Sequence, residues 1–310
     1  MPWRLAGLLM MLAAGAAGAQ PSRTESVTVT GTREREMLDS FVHSFAAPTR
    51  MTGKLARWED GICPIVAGLR PQFTTYIASR MKEVAVQVGA PVNERARCRP
   101  NIEVAFTDAP QLFIDKVRAI NPVLLGYYDN EAQSKALATV TPPIQAWYTT
   151  QTKDLRGKGE VDRARRQGMT VEMPMPPPCM GKCTFTITYP DAHAWESTGS
   201  RLGDGLRSSF YHVIIVVEPT KLVEQEMGAL ADHIAMVALA QIPAPENCRP
   251  LPSIVNLLAK DCAAGPANAL TASDLGYLRG LYKISAARTL GVQESEIAYR
   301  MEQGLKEETP

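Results

Sequence analysis

The chain has four histidines, and any imidazole chemistry must be built from them. His193-x-x-Glu196 sets an imidazole and a carboxylate three residues apart in a polar stretch that also holds Asp191. Those groups can converge on a metal ion or share a proton. His233 directly follows Asp232, and Met236 lies one helical turn beyond. Adjacent helical residues point about 100° apart, whereas a hydrolytic zinc helix carries imidazoles at i and i+4 with a glutamate beside the first. Met236 does not repair the pattern, because zinc takes nitrogen, thiolate or carboxylate. His43 stands alone on a short amphipathic stretch, and His212 opens an apolar run; both read as packing or surface residues. The candidates for a metal are therefore His193, Glu196 and His233. There is no Gly-x-Ser-x-Gly elbow, and the stretch from Gly199 to Gly205 lacks the lysine of a phosphate loop.

The elements that must position these residues begin with an export signal. Arg4 precedes the apolar run from Leu5 to Ala14, and Ala17-Gly-Ala19 offers a small-x-small cleavage site, so residues 1–19 read as a signal peptide cut after Ala19. No later stretch reaches about 18 uninterrupted apolar residues, so no integral membrane segment is expected in the mature chain. Removing Arg4 leaves 32 basic against 32 acidic side chains. A neutral chain has no global electrostatic pull toward nucleic acid. Six cysteines remain in an exported chain, which predicts disulfides rather than thiolates. Short loops close at the smallest entropy cost, which favours Cys63–Cys98, Cys179–Cys183 and Cys248–Cys262 among 15 possible pairings.

Along the chain, residues 20–36 read as a flexible lead-in or short strand. An amphipathic helix follows from Met37, with Leu38, Phe41, Val42 and Phe45 inward, up to Pro48. A turn at Asp60-Gly61 leads to a strand from Ile62 to Leu69. A helix from Phe73 to Val88 turns Tyr76, Ile77, Met81, Val84 and Val88 to one face and ends at Gly89. The stretch from Asn101 to Phe106 alternates as a strand, and Pro110 opens a helix with Leu112, Phe113, Val117 and Ile120 inward. Pro142-Pro143 marks a sheet edge or break. The run from Lys153 to Gly168, with six basic and three acidic residues, reads as a solvated excursion, and that from Met173 to Pro178 as a stiff connector. Residues from Phe185 to Tyr189 and from Tyr211 to Val217 form strands, the second deep in a sheet. The stretch from Leu222 to Gln241 is a helix with one buried stripe, Val223, Met227, Leu230, Ile234, Val237 and Leu239. Thr271 and Asp274 form a capping pair before Leu275, Leu278 and Leu281.

Three of these stretches, taken together, carry a resemblance. Leu-Ala-Asp232-His233-Ile-Ala-Met236 stands where metzincin proteases show their zinc-binding helix. Ser253-Ile-Val-Asn256 is similar to the turn that lies below their zinc, with Val255 in place of methionine. Leu270-Thr-Ala-Ser-Asp274, ending Leu281-Tyr282, resembles the helix that closes their catalytic domain. The order is the family's, over roughly residues 211–283. The ligand histidines and the glutamate are absent, so the resemblance implies a zincin-like scaffold without zinc chemistry and with degenerate positions Asp232, His233 and Met236. The whole chain also resembles a group of exported bacterial proteins that brings no activity with it. The stretch from Glu25 to Arg33 resembles the box by which TonB-dependent receptors contact their energiser.

The expected fold is therefore α+β: a mixed sheet with packed helices, held by disulfides, in one domain over 37–310. Its halves are an α/β part (37–172) and a zincin-like part (173–310). The expected function is a non-catalytic, exported binding or envelope-associated module, periplasmic or secreted, needing no cofactor, with an envelope or periplasmic protein as partner. A metal-dependent hydrolase with an atypical site at His193, Glu196 and His233 is the alternative.

Overall fold

The computed structural model describes residues 23–163, 169–174, 184–189, 204–243, 248–259, 262 and 267–307. In chain order the elements are α1 (Arg23–Phe45), β1 (Ala56–Arg57), β2 (Pro64–Ala67), α2 (Pro71–Val88), β3 (Ile102–Phe106), α3 (Pro110–Ile120), α4 (Glu131–Leu137), β4 (Ile144–Lys153), β5 (Gly159–Val161), β6 (Met169–Pro174), β7 (Thr184–Tyr189), β8 (Arg207–Val217), α5 (Met227–Leu239), α6 (Ala272–Lys283) and α7 (Leu290–Glu307). The main sheet has the order β2-β3-β8-β4-β5, with β1 beside the start of β8. β1 and β3 run parallel to β8, and β2 parallel to β3, whereas β4 is antiparallel to β8. The sheet is mixed, and α+β describes the fold. β6 and β7 pair with each other as a separate antiparallel ladder.

An unbroken apolar strand has to be covered on both faces. Val213, Ile215 and Val217 of β8 join the larger core with α2 and α5. Ile214 and Val216 join a smaller core with Trp147, Ile114 and Leu125. The register of β8 slips opposite Thr149 and Thr150, leaving Tyr211 as the extra, half-exposed residue of a bulge.

α5 departs most from a surface helix. It begins at Met227, after a single 3-10 turn at Pro219–Lys221, and Val223 lies outside it in solvent. From Ala229 to Leu239 every residue is buried, so the single apolar stripe expected of this helix is instead cover on all sides. Ala229, Ala231, Ala235 and Ala238 occupy the faces between the large side chains, and their small size lets neighbours close in. A buried helix end must have its last carbonyls satisfied. Three aromatic donors from distant parts of the chain do this. The Tyr148 hydroxyl lies 2.7 Å from the Val237 carbonyl and 3.1 Å from that of Ala240. The Trp58 indole N–H donates to Ala238 (2.8 Å), and the Tyr282 hydroxyl to Leu239 (2.8 Å). Burial raises the pKa of both tyrosines, which keeps them as donors.

Two disulfides are in place, Cys63–Cys98 and Cys248–Cys262, both as locality predicts. The Cys179–Cys183 pair lies outside the described residues, as do the signal segment 1–19 and residues 175–178 of the expected connector. Several expectations are corrected. Residues 23–36 are helical and continuous with α1 rather than a lead-in or strand, which places the TonB-like stretch 25–33 inside a helix. Tyr76, Leu112 and Ile120 face solvent, and Ile114 is the buried anchor of α3. Met173 and Pro174 belong to β6 rather than to a connector. The charged excursion opens as a β4–β5 hairpin whose Asp154 and Asp162 are buried. Asp162 accepts from the Thr150 and Thr152 hydroxyls at 2.5 and 2.7 Å. α7 has no counterpart in the sequence reading. It packs on α6 and α1, and Gly280 makes room for Ile297, because a Cβ there would meet its Cγ2 at 2.9 Å.

Candidate functional site

Asp232 and His233 point to different neighbours, as their one-residue offset on a helix requires. The Asp232 carboxylate accepts from Arg80 Nε (2.6 Å) and Nη2 (3.3 Å) of α2, and from the Leu270 backbone N–H (2.9 Å) ahead of α6. The hydrogen bond to Asp232 holds the Arg80 guanidinium above its ordinary pKa. This acid is fully engaged in joining α5 to α2 and to the approach of α6. His233 is buried, and its Nδ1 lies 3.1 Å from the Ile254 carbonyl. A carbonyl only accepts, so Nδ1 carries the proton and Nε2 the lone pair. Met236 has no exposed surface.

The turn under His233 is a 3-10 helix at Ile254–Leu258, capped by Ser253 and tied to α6 by one buried acid. Asp274 accepts from the Ser253 hydroxyl (2.5 Å) and from the Ile254 (2.8 Å) and Thr271 (2.9 Å) backbone N–H groups. Its own N–H returns to Thr271 Oγ1 at 3.1 Å, completing the capping box. Burial pushes the Asp274 carboxyl above the usual carboxylate range against these donors. The capping pair was legible in the sequence; the second duty of Asp274, pinning the turn, was not.

Burial also pushes the His233 imidazole below its ordinary value. A depressed histidine pKa means that the unfolded state binds more protons, so stability rises with pH across the window. The contribution is present above about pH 6.5, the unperturbed imidazole value, and is lost as pH falls through the folded-state pKa. His212 adds to the same slope, because burial lowers it as well, against the opposing pull of Glu103. Urea midpoints should therefore fall between about pH 7.5 and about pH 5.5, and His233→Gln should flatten the fall. An unchanged slope in that variant would refute the assignment.

The other sequence candidates do not gather around His233. His43 is exposed on α1, 3.2 Å from Glu294 of α7. His212 sits across the sheet beside Glu103 (3.3 Å), with a buried Nδ1 that has no hydrogen-bond partner among the described residues. Asp191, His193 and Glu196 lie outside the described residues. Among the described residues there is no group of three or more His, Cys, Asp or Glu side chains placed to hold a metal ion.

What His233 does face is a groove. A cavity of 440 Å³ is lined by His233, Val237, Val255, Leu258 and the first residues of β4. A second of 410 Å³, around Leu112, Glu218 and Lys221, shares Thr141 with it. A third of 430 Å³, around Arg50, Tyr127 and Gln241, shares Ala146, Tyr148, Ile242 and Pro243. The first and third border the start of β4, whereas the second meets only Val140 and Thr141 of the segment leading into it and is walled by Glu218 and Lys221, just after β8. The Glu218 N–H donates to the Pro143 carbonyl at 2.8 Å. Hydrogen-bonded pairs alternate along an antiparallel ladder, so Gln145 and Trp147 bond β8 next. Ile144 and Ala146 then turn their N–H and C=O groups away from it. β5 reaches β4 only at Gln151, Thr152 and Lys153, and Gly126 closes against the Tyr148 carbonyl. Between Pro143 and Tyr148 no described strand pairs with this edge. Pro142-Pro143 was the sequence signal for an edge; the cavities beside it left none.

No protein-family model matches the chain, and no curated protein or solved structure matches it either.

Proposed function

We propose that the protein is an exported, non-catalytic binding module that lays an extended segment of a partner protein along the free edge of β4. The observation that carries this reading is the outward-facing backbone of Ile144 and Ala146, bordered by two adjoining cavities. An added strand satisfies those groups, and alternate side chains of the segment enter the cavities. Residues 144–147 span about 10 Å at a strand rise of about 3.3 Å per residue. The central cavity, walled by Val237, Ile242, Val255 and Leu258, takes an apolar side chain.

Support for a zincin-like scaffold comes from the connection of β8 into α5, the turn at residues 253–256 bonded to His233, and the tie of that turn to α6 through Asp274. Support for the absence of zinc chemistry comes from what the residues at the ligand positions already do. Asp232 is bound to Arg80, and Met236 is enclosed. Two disulfides suit an oxidising compartment, and no helix among the described residues is long and apolar enough to cross a membrane.

The test is a selection of peptides from a random display library on the purified chain, followed by amide hydrogen exchange. Selected peptides should slow exchange at Ile144 and Ala146. Peptides that bind while leaving those amides unprotected would sink the reading. Stoichiometric zinc in native protein, lost on replacing His193, Glu196 or His233 with alanine, would replace it with the metal-dependent hydrolase.

A further inference from the structure

We infer that the cavity at His233 selects a tyrosine side chain, with His233 Nε2 accepting from its hydroxyl, an inference that rests on the strand addition proposed above. The backbone edge of β4 offers the same ladder to any extended segment, so preference among segments has to come from the cavities. The cavity at His233, 440 Å³, is large for one aliphatic side chain and falls in the size range of ligand sites. An aromatic ring uses such a volume, and Val237, Ile242, Val255 and Leu258 supply apolar walls for it.

The polar groups of the lining decide which ring. His233 Nδ1 donates to the Ile254 carbonyl, and Ile254 is fully buried and no part of the lining. The far side of the imidazole, with Nε2, is what His233 turns to the cavity. Nε2 has no hydrogen-bond partner among the described residues, yet it is not sealed in protein as the unpartnered His212 Nδ1 is. It is therefore an acceptor in contact with the free space. Burial lowers the His233 pKa, which keeps this lone pair unprotonated near neutral pH. The groups around it have little to donate. The one proton of the Tyr148 hydroxyl is committed to the Val237 and Ala240 carbonyls. The Gln145 amide is tied at both ends, accepting from the Thr141 N–H at 3.0 Å and donating to the Thr139 carbonyl at 3.1 Å. Pro142, Pro143 and Pro243 have no backbone N–H. An entering group must bring its own donor. Tyrosine meets both demands, with an apolar ring and a terminal O–H. Phenylalanine fills the walls but leaves Nε2 without a donor, and serine leaves the walls unfilled.

p-Cresol and toluene, the side chains of tyrosine and phenylalanine, probe the cavity of the full chain without a peptide. In heteronuclear spectra p-cresol should move the His233 Nε2 resonance together with the methyl groups of Val237, Val255 and Leu258. Toluene should move the methyl groups alone. Among peptides that protect Ile144 and Ala146 from exchange, tyrosine at one alternate position should bind about tenfold tighter than phenylalanine there. His233→Leu should erase that ratio. Equal or tighter binding of the phenylalanine peptide to wild type overturns the inference and leaves the β4 edge in place. An Nε2 resonance unmoved by p-cresol overturns it as well. A p-cresol shift with no peptide protecting β4 keeps the tyrosine site and removes the edge. If His233→Leu does not fold, the Nε2 resonance of the wild-type chain decides.

Discussion

Asp274→Ala should lower the unfolding free energy by about 3 kcal/mol or more. The carboxylate has no exposed surface and satisfies the Ser253 hydroxyl and the Ile254 and Thr271 N–H groups at once. Truncation leaves those donors enclosed without an acceptor, at about 1–3 kcal/mol for each buried group, and also removes the α6 capping box. Asp274→Asn keeps the size and one acceptor oxygen and should cost roughly half as much. The raised pKa of Asp274 gives a second signature of opposite sign to that of His233. The folded state binds more protons here, so this group's contribution falls as pH rises from the ordinary carboxylate value through the folded one. Urea denaturation of both variants measures the effect, and a loss under about 1 kcal/mol for the alanine variant would show that other acceptors or water reach the turn.

Ala146→Pro should abolish binding of a selected peptide or weaken it at least about tenfold, or about 1.4 kcal/mol. It should do so while leaving the fold in place. Proline removes one backbone N–H, and the parity of the ladder places that N–H on the side of β4 away from β8. Proline is tolerated on a strand edge whose N–H is not used by the sheet. The partner strand would lose one ladder bond and meet the pyrrolidine ring. Gln145→Pro makes the contrast, because its N–H belongs to the ladder with β8, and it should destabilise the chain itself by about 3 kcal/mol or more. Peptide affinity and melting midpoint separate the two effects. Equal peptide affinity in Ala146→Pro and wild type would remove the edge from the binding mechanism.

How far the sequence carried depended on whether the signal was local. The turn at Gly89, with its left-handed backbone at φ 80°, the capping pair of Thr271 and Asp274 and the apolar strand from Tyr211 to Val217 each follow from a few adjacent residues. Leu112 and Ile120 failed for the reason that periodicity identifies a helix without fixing which way its apolar side chains turn; Ile114 fills the space instead. α1 began too late in the reading because the polar residues 23–36 show no periodicity of their own. α7 was missed for the same kind of reason, since its buried contacts are few and spread, with Gln293 among them. The groove could not be read at all. Whether β4 has a free edge depends on which strands do not reach it, and the cavities beside it combine residues from Ala47 to Leu258.

The aromatic closure of α5 has a consequence for how the chain reaches this state. Trp58, Tyr148 and Tyr282 come to the helix end from 180, 89 and 43 residues away along the chain. Contacts of such long range raise the contact order and slow folding. During synthesis the helix end cannot be sealed before residue 282 has emerged. Until then its last carbonyls and apolar flanks lie open, and such exposed surface is what makes incomplete chains aggregate. A chain truncated before α6 should therefore behave as a client for chaperones rather than as a smaller version of the protein.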